Sequence, residues 1–109
     1  MGLSLKIRNL NWREDEMRIE SVEIYSDTTK AAIMRHPGRR FPGFLFQGDT
    51  LYSLCRRADQ VCSSIGRESP GFSEANELRN ALWSALNHYK VVLIEHQLEL
   101  PFTEQPAFN

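Results

Sequence analysis

Residues 49–66 read Asp-Thr-Leu-Tyr-Ser-Leu-Cys-Arg-Arg-Ala-Asp-Gln-Val-Cys-Ser-Ser-Ile-Gly. Apolar side chains recur here every three or four positions, which is the period of a helix with one buried face. Asp49 is a favourable N-cap residue, and Gly66 is a favourable residue for the C-terminal end of the helix. We therefore predict a helix that packs against a core through Leu51, Leu54, Cys55, Ala58, Val61, Cys62 and Ile65.

A second, longer helix is predicted after a short linker that contains Ser69, Pro70 and Gly71. Ser73 is the predicted N-cap of this helix, and Pro101 is its predicted end. The two helices would form a helical hairpin. The main apolar face of the second helix comprises Ala75, Leu78, Leu82, Ala85, Leu86, Tyr89, Leu93 and His96, and it is widened by Trp83, Val91, Val92 and Ile94.

The N-terminal half has the pattern of short strands. Residues 3–7 alternate between apolar and polar, and residues 17–25 are extended with a phase shift that a bulge or a late strand start would explain. Residues 31–34 fit a strand or a helical turn, and residues 44–47 fit a final strand. Residues 35–43 hold two prolines and two glycines, which indicates a loop or hairpin connection. Strands followed by helices predict an α+β fold, with a small antiparallel sheet of three or four strands packed on a C-terminal helical hairpin.

Length and composition are those of one ordinary globular domain. The 109 residues are 41% hydrophobic and 25% charged, and the formal net charge is -1. This balance argues against a polybasic nucleic-acid coat and against an acidic disordered tail. No apolar run approaches the roughly 20 residues that span a bilayer, and the first twenty residues lack the apolar core of a signal peptide. We therefore expect a cytoplasmic protein with no membrane contact.

The two cysteines are predicted to be free core residues. Cys55 and Cys62 lie seven residues apart on one helix face, so about 10.5 Å would separate their Cα atoms, beyond the ~7 Å limit of a disulfide. No close Cys/His cluster has the spacing of a zinc site, and His88 and His96 point in different directions on their helix. The sequence predicts no metal and no cofactor.

Cationic residues concentrate in the middle of the chain. Residues 30–57 hold six cations and one anion, a net charge of +5, while the flanking segments are acidic. Arginine paired with aromatic residues is typical of interface anchors. We therefore predict a partner-binding site on the central loop, formed by Arg35, His36, Arg39, Arg40 and Phe41. In the alternative interpretation, the arginines neutralise the domain's own acids.

Two other functions remain open at this point. The same basic block fits a nucleic-acid-binding module, which the acidic helical half opposes. A small enzyme centred on His36 would require Cys55 or Asp49 to converge with it in a pocket. The sequence contains no recognisable triad or dyad and no nucleotide-binding motif, so we expect a protein without enzymatic activity.

Four segments carry a resemblance to a known family. They are residues 22–27 (VEIYSD), 34–43 (MRHPGRRFPG), 47–54 (QGDTLYSL) and 86–90 (LNHYK), of which the second is the most specific. Together they resemble a family of small, functionally uncharacterised bacterial proteins over about residues 17–104. We assign residues 1–16 to an N-terminal extension or edge strand, residues 17–104 to a single α+β domain, and residues 105–109 to a flexible tail.

In size and style the chain is similar to antitoxin-like immunity proteins. This similarity of kind implies a cytoplasmic protein-binding domain that inhibits a bacterial toxin by covering its active surface. The expected partner is a protein with an acidic surface. Its carboxylates would pair with Arg35, Arg39 and Arg40, and one of its pockets would accept Phe41. An exposed strand edge also offers a contact for a homodimer.

Overall fold

The computed structural model of the protein describes residues 17–104. Three strands, β1 (Glu23–Ser26), β2 (Ala32–Arg35) and β3 (Gly43–Leu45), precede two helices, α1 (Gly48–Ile65) and α2 (Phe72–Glu95). The α+β fold, with its antiparallel sheet in the N-terminal half and its C-terminal helical hairpin, is confirmed. The strand predicted at residues 3–7 and the tail predicted at residues 105–109 lie outside the described residues.

The sheet is a meander with the strand order β1-β2-β3, and both neighbouring pairs are antiparallel. Ile24 pairs with Met34 and Ile33 pairs with Phe44, while a bulge interrupts β1 between Ile24 and Ser26. The predicted phase shift lies between Ile19 and Val22, so the late start of the strand at Glu23 explains it, and the bulge lies further along the chain. The segment at residues 31–34 was predicted as a strand or a helical turn; it is strand from Ala32, because β1 and β3 supply hydrogen-bond partners on both sides.

Because side chains alternate across a strand, the register divides the sheet into two faces. One face is apolar and carries Ile24, Ala32, Met34 and Leu45. The other face, which we call the aromatic face, carries Glu23, Tyr25, Ile33, Arg35 and Phe44, and Phe46 continues it beyond β3.

The core of the described domain lies between the two helices. Cys55, Ala58, Cys62 and Leu86 are its buried hydrophobic side chains. Both cysteines are free, as predicted. Among the described elements, no strand Cα atom lies within 8 Å of a helix Cα atom. The backbones of the sheet and the helical hairpin therefore lie apart, and residues that flank the strands, such as Val22 and His36, share a cavity with the end of α2. Much of the surface of the sheet is exposed.

Three predicted helix ends are wrong by a few residues. Helix α1 starts at Gly48 with Gln47 as N-cap, so Asp49 lies in the first turn, where a carboxylate is also favoured by the helix dipole. Helix α2 starts at Phe72, and its N-cap is Gly71 in the left-handed conformation instead of the predicted Ser73. The predicted stop of α1 at Gly66 is confirmed.

Helix α2 also ends earlier than predicted, at Glu95 and not at Pro101. Gln97 adopts a φ of 59°, and its N–H bonds to the carbonyl of Ile94 at 3.0 Å. The N–H of Leu98 reaches back to the carbonyl of Leu93 at 2.9 Å. These two bonds form a Schellman motif, which closes a helix C-terminus without needing a proline.

Candidate functional site

The turn at residues 36–42, which connects β2 to β3, carries most of the predicted site. It is folded by its own hydrogen bonds. The backbone N–H of Arg39 donates to the carbonyl of His36 at 2.9 Å, and the N–H of Gly38 donates to His36 Nδ1 at 2.8 Å. Since Nδ1 of His36 accepts a hydrogen bond, this imidazole acts here as a structural part of the turn.

Arg35, the last residue of β2, joins this turn to the opposite strand. Its Nε donates to Glu23 Oε1 at 2.7 Å, and its Nη1 donates to the backbone carbonyl of Arg39 at 2.8 Å. The hydroxyl of Tyr25 donates to the same Glu23 oxygen at 3.0 Å. The hydrogen bond from Arg35 lowers the pKa of Glu23, aided by the one from Tyr25, and the bond to Glu23 raises the pKa of Arg35. Arg35 is thus engaged inside the molecule.

The turn that Arg35 and His36 hold in place exposes three predicted site residues to solvent: Arg39, Arg40 and Phe41. Phe41 is 72% exposed, and the guanidinium carbon of Arg40 lies 5.5 Å from the centre of its ring. Among residues 17–104, no acidic side chain forms an ion pair with Arg39 or Arg40. The alternative interpretation, in which the arginines neutralise the domain's own acids, therefore holds for Arg35 and not for these two.

The aromatic face of the sheet extends this surface in a way that the sequence analysis missed in part. Phe44 and Phe46 stack with their ring centres 5.9 Å apart, and Phe44 is 68% exposed. The two residues are separated by one position, so they project from the same side of the chain. This spacing is visible in the sequence, although the predicted site extends only as far as Phe41.

The six cations of residues 30–57 do not form one surface. Lys30 lies in the connection between β1 and β2, which a meander places at the opposite end of the sheet from residues 36–42. Arg56 and Arg57 lie within α1. The structure therefore reduces the exposed basic site to Arg39 and Arg40, with Phe41 beside them.

A cavity of about 520 Å³ separates the turn from the end of α2. His36 and His96 both line it, and Arg18 pairs with Glu20 at its wall. Its other lining residues are apolar: Met17, Val22, Pro37, Val92 and Leu98. The cavity brings His36 together with His96, whereas neither Cys55 nor Asp49 lines it.

Cys55 has the environment of a structural thiol. It is fully buried, and burial raises its pKa, with the nearby Asp59 carboxylate adding to the shift. A buried, protonated thiol is a poor nucleophile. The convergence of His36 with Cys55 or Asp49 that an enzyme would need is therefore not found in this cavity.

Neither a metal site nor a membrane-spanning helix is found in the part of the chain that the structure describes. No group of three or more His, Cys, Asp or Glu side chains in residues 17–104 is arranged to hold a metal ion. Within the same range, neither helix combines the length and the hydropathy that crossing a membrane requires.

Comparison with known proteins places the chain in a family. No curated protein and no solved structure matches the chain. A family model described as a family of unknown function (DUF6959) matches residues 17–102, which include the whole sheet, the 36–42 turn and both helices. Because this match covers most of the sequence, the chain belongs to the family of unknown function DUF6959.

Proposed function

We propose that the protein is a cytoplasmic, non-enzymatic binding domain that recognises an acidic protein surface through Arg39, Arg40 and Phe41. The observation that carries this proposal is the pair of exposed arginines without ion-pair partners among the described residues, set beside a largely exposed phenylalanine. Exposed guanidinium groups suit bidentate pairing with carboxylates, and aromatic side chains supply the buried centre of an interface.

The rigidity of the turn supports the same function. Arg35 and His36 hold the backbone of residues 36–39 through three hydrogen bonds, so little conformational entropy is lost when a partner docks. The five predicted site residues thus divide into two roles. Arg35 and His36 position the turn, and Arg39, Arg40 and Phe41 make the contacts.

A narrower form of the proposal is that the partner is a bacterial toxin whose active surface the domain covers. Its support is the similarity in size and style to immunity proteins, together with a basic, aromatic surface suited to an acidic catalytic groove. This form adds one requirement, that the purified domain inhibits the activity of its captured partner.

The proposal can be tested by photo-crosslinking in the cells that produce the protein. Benzoylphenylalanine placed at Phe41 should capture one discrete partner, while the same group at Gln60, an exposed position on α1, should not. The partner is then purified, and the Kd of its complex with the protein is measured by calorimetry. Phe41→Ala should raise the Kd roughly 30-fold, the effect typical of an interface anchor.

The double variant Arg39→Ala/Arg40→Ala should weaken binding at least as strongly as Phe41→Ala. A matched control, Lys30→Ala/Arg67→Ala, removes two exposed cations elsewhere and should leave the Kd within about twofold. Equal affinities for the arginine double variant and the wild type would remove the turn from the recognition surface.

The two other functions have their own readouts. Nucleic-acid binding through the same arginines predicts a gel shift at low salt that weakens steeply as salt is raised. Catalysis at His36 predicts an activity that is lost in His36→Gln. We rank both below protein binding, because His36 is held within the turn and most of the other exposed charge in residues 17–104 is acidic.

A further inference from the structure

We propose that the protein forms a two-fold symmetric dimer in which the helical hairpins of two copies pack into a four-helix bundle. The contact surface is one side of the hairpin, which we call the bare face, formed by Leu54, Val61, Leu78 and Ala85. This surface is separate from the 36–42 turn, so the inference is independent of the proposed function.

Contacts between the helices identify the opposite side of the hairpin. The ring of Trp83 meets Tyr52 edge-on at 6.5 Å, and its Nε1–H donates to Asp59 Oδ1 at 2.9 Å. Phe102 stacks on Tyr52 at 4.4 Å, so the segment after α2 also covers this side. Lys90 pairs with Glu104 at 2.6 Å and fixes the same segment to α2.

Helix geometry places the bare face away from this cover. Two residues rotate a helix by about 200°, so a residue two positions further along lies on nearly the opposite side. Leu54 follows Tyr52 by two positions, Val61 follows Asp59, and Ala85 follows Trp83. Leu78 precedes Ala85 by seven residues, which is close to two full turns, and therefore shares its side.

Exposure confirms that this side lacks a cover within the described chain. Val61 is 50% exposed and Leu78 is 60% exposed, although both belong to the predicted core faces. Leu54 and Ala85 are exposed as well. Two helices alone enclose little, and in residues 17–104 the fully buried large side chains are Cys55 and Leu86. A second helical layer is the common way to bury such a face.

Charge complementarity favours a second copy as that layer. Arg57 lies on the outer flank of α1, beside the bare face, and Glu77 lies on the corresponding flank of α2; both are exposed. Neither has an ion-pair partner among residues 17–104. Flanking pairs of opposite charge between helices are typical of helical bundles and fix the orientation of the partner.

The register of the hairpin places Val61 close to the level of Leu78 along the helix axes, and Arg57 close to the level of Glu77. Gly48 at the start of α1 lies against Tyr89 near the end of α2, so the helices are antiparallel. On this register Val61 and Leu78 are nearly level along the bundle. A two-fold axis parallel to the helices places α1 of one copy on α2 of the other. Val61 then faces Leu78 of the second copy, and Arg57 lies within about one turn of its Glu77.

Sedimentation velocity of the full chain over a concentration series tests the proposal. The wild type should sediment as a dimer with twice the 12.6 kDa mass of the chain. Val61→Glu should raise the dimer Kd roughly 100-fold or more, because an unpaired carboxylate would be buried. The matched control is Ile94→Glu, since Ile94 is 66% exposed and lies near the Trp83 side of α2, and it should dimerise as the wild type does. Circular dichroism verifies that each variant is folded.

Charge reversal tests the register. Arg57→Glu and Glu77→Arg should each weaken the dimer, and the double variant should restore it, because exchanging both charges recreates the pair. A monomeric wild type would overturn the proposal. So would a dimer that survives Val61→Glu, including one formed through a strand edge, or a dimer that Ile94→Glu disrupts equally.

Discussion

The guanidinium of Arg35 fixes the carbonyl of Arg39, with 2.8 Å between Nη1 and the oxygen, while its Nε binds Glu23 on the neighbouring strand. The turn that presents the exposed arginines is thus held by a third arginine that cannot itself be presented. Changing Arg35 should therefore affect the shape of the site and leave its contact groups in place.

Arg35→Ala should loosen the 36–42 turn. The amide of Arg39, which donates to His36 O, should exchange its hydrogen roughly 2- to 10-fold faster, the range expected when one or two exposed hydrogen bonds are lost. Hydrogen exchange followed by NMR measures this rate. Lys30→Ala, in the connection at the other end of the sheet, is the control. Unchanged exchange in Arg35→Ala would show that the turn is held by its own backbone alone.

The pair of Glu23 with Arg35 should make stability depend on pH. Because the folded-state pKa of Glu23 is lowered, its contribution is present above the ordinary glutamate pKa of about 4.3 and is lost as the pH falls through the lower folded value. The free energy of unfolding of the wild type should therefore approach that of Glu23→Gln as the pH is lowered from the ordinary glutamate pKa through the folded-state pKa of Glu23. Urea titrations at several pH values measure it, and a difference that is constant with pH would contradict the assignment.

Gly48→Ala should destabilise the domain by about 1–3 kcal/mol, the range for overpacking. A Cβ atom at this position would lie 2.3 Å from Tyr89 Oη and 2.4 Å from its Cζ. Gly43→Ala is the matched control, because a Cβ there meets nothing within 4 Å, and it should change stability by less than about 0.5 kcal/mol. Thermal unfolding compares the two. The clash with Tyr89 is refuted if both variants melt alike.

The two thiols should be unreactive in the folded protein. Cys55 and Cys62 are buried, and burial raises the pKa of Cys55, so little thiolate is available at neutral pH. A colorimetric thiol reagent should detect both cysteines in denaturant and neither, on the time scale of mixing, in native buffer. Rapid native reaction of one thiol would show that α1 is more open than its burial implies.

The sequence predicted those features that local periodicity determines. The three- and four-residue spacing located α1, and the glycines and prolines located the connection between β2 and β3. Helix starts were displaced because tertiary contacts decide them: α1 starts at Gly48, which fits under Tyr89, and its N-cap is Gln47 instead of the predicted Asp49. Residues 32–34 became strand only through pairing with two other strands.

The candidate site was found from charge and composition, but its internal division of roles was not. That Arg35 differs from Arg39 and Arg40 depends on Glu23, twelve residues away on another strand. The presence of His36 and His96 on one cavity depends on how the 36–42 turn lies relative to the end of α2. Neither relationship leaves a local signal, because both arise from packing between segments distant in sequence.

The stacking of Phe102 on Tyr52 has a practical consequence for choosing where to shorten the chain. The family match ends at the same residue whose ring closes over α1. A fragment that stops at the last residue of α2 would lose the ring that stacks on Tyr52, which itself contacts Trp83 edge-on. Truncation experiments should therefore retain Phe102, and Trp83 fluorescence would report its loss as a shift to longer wavelength.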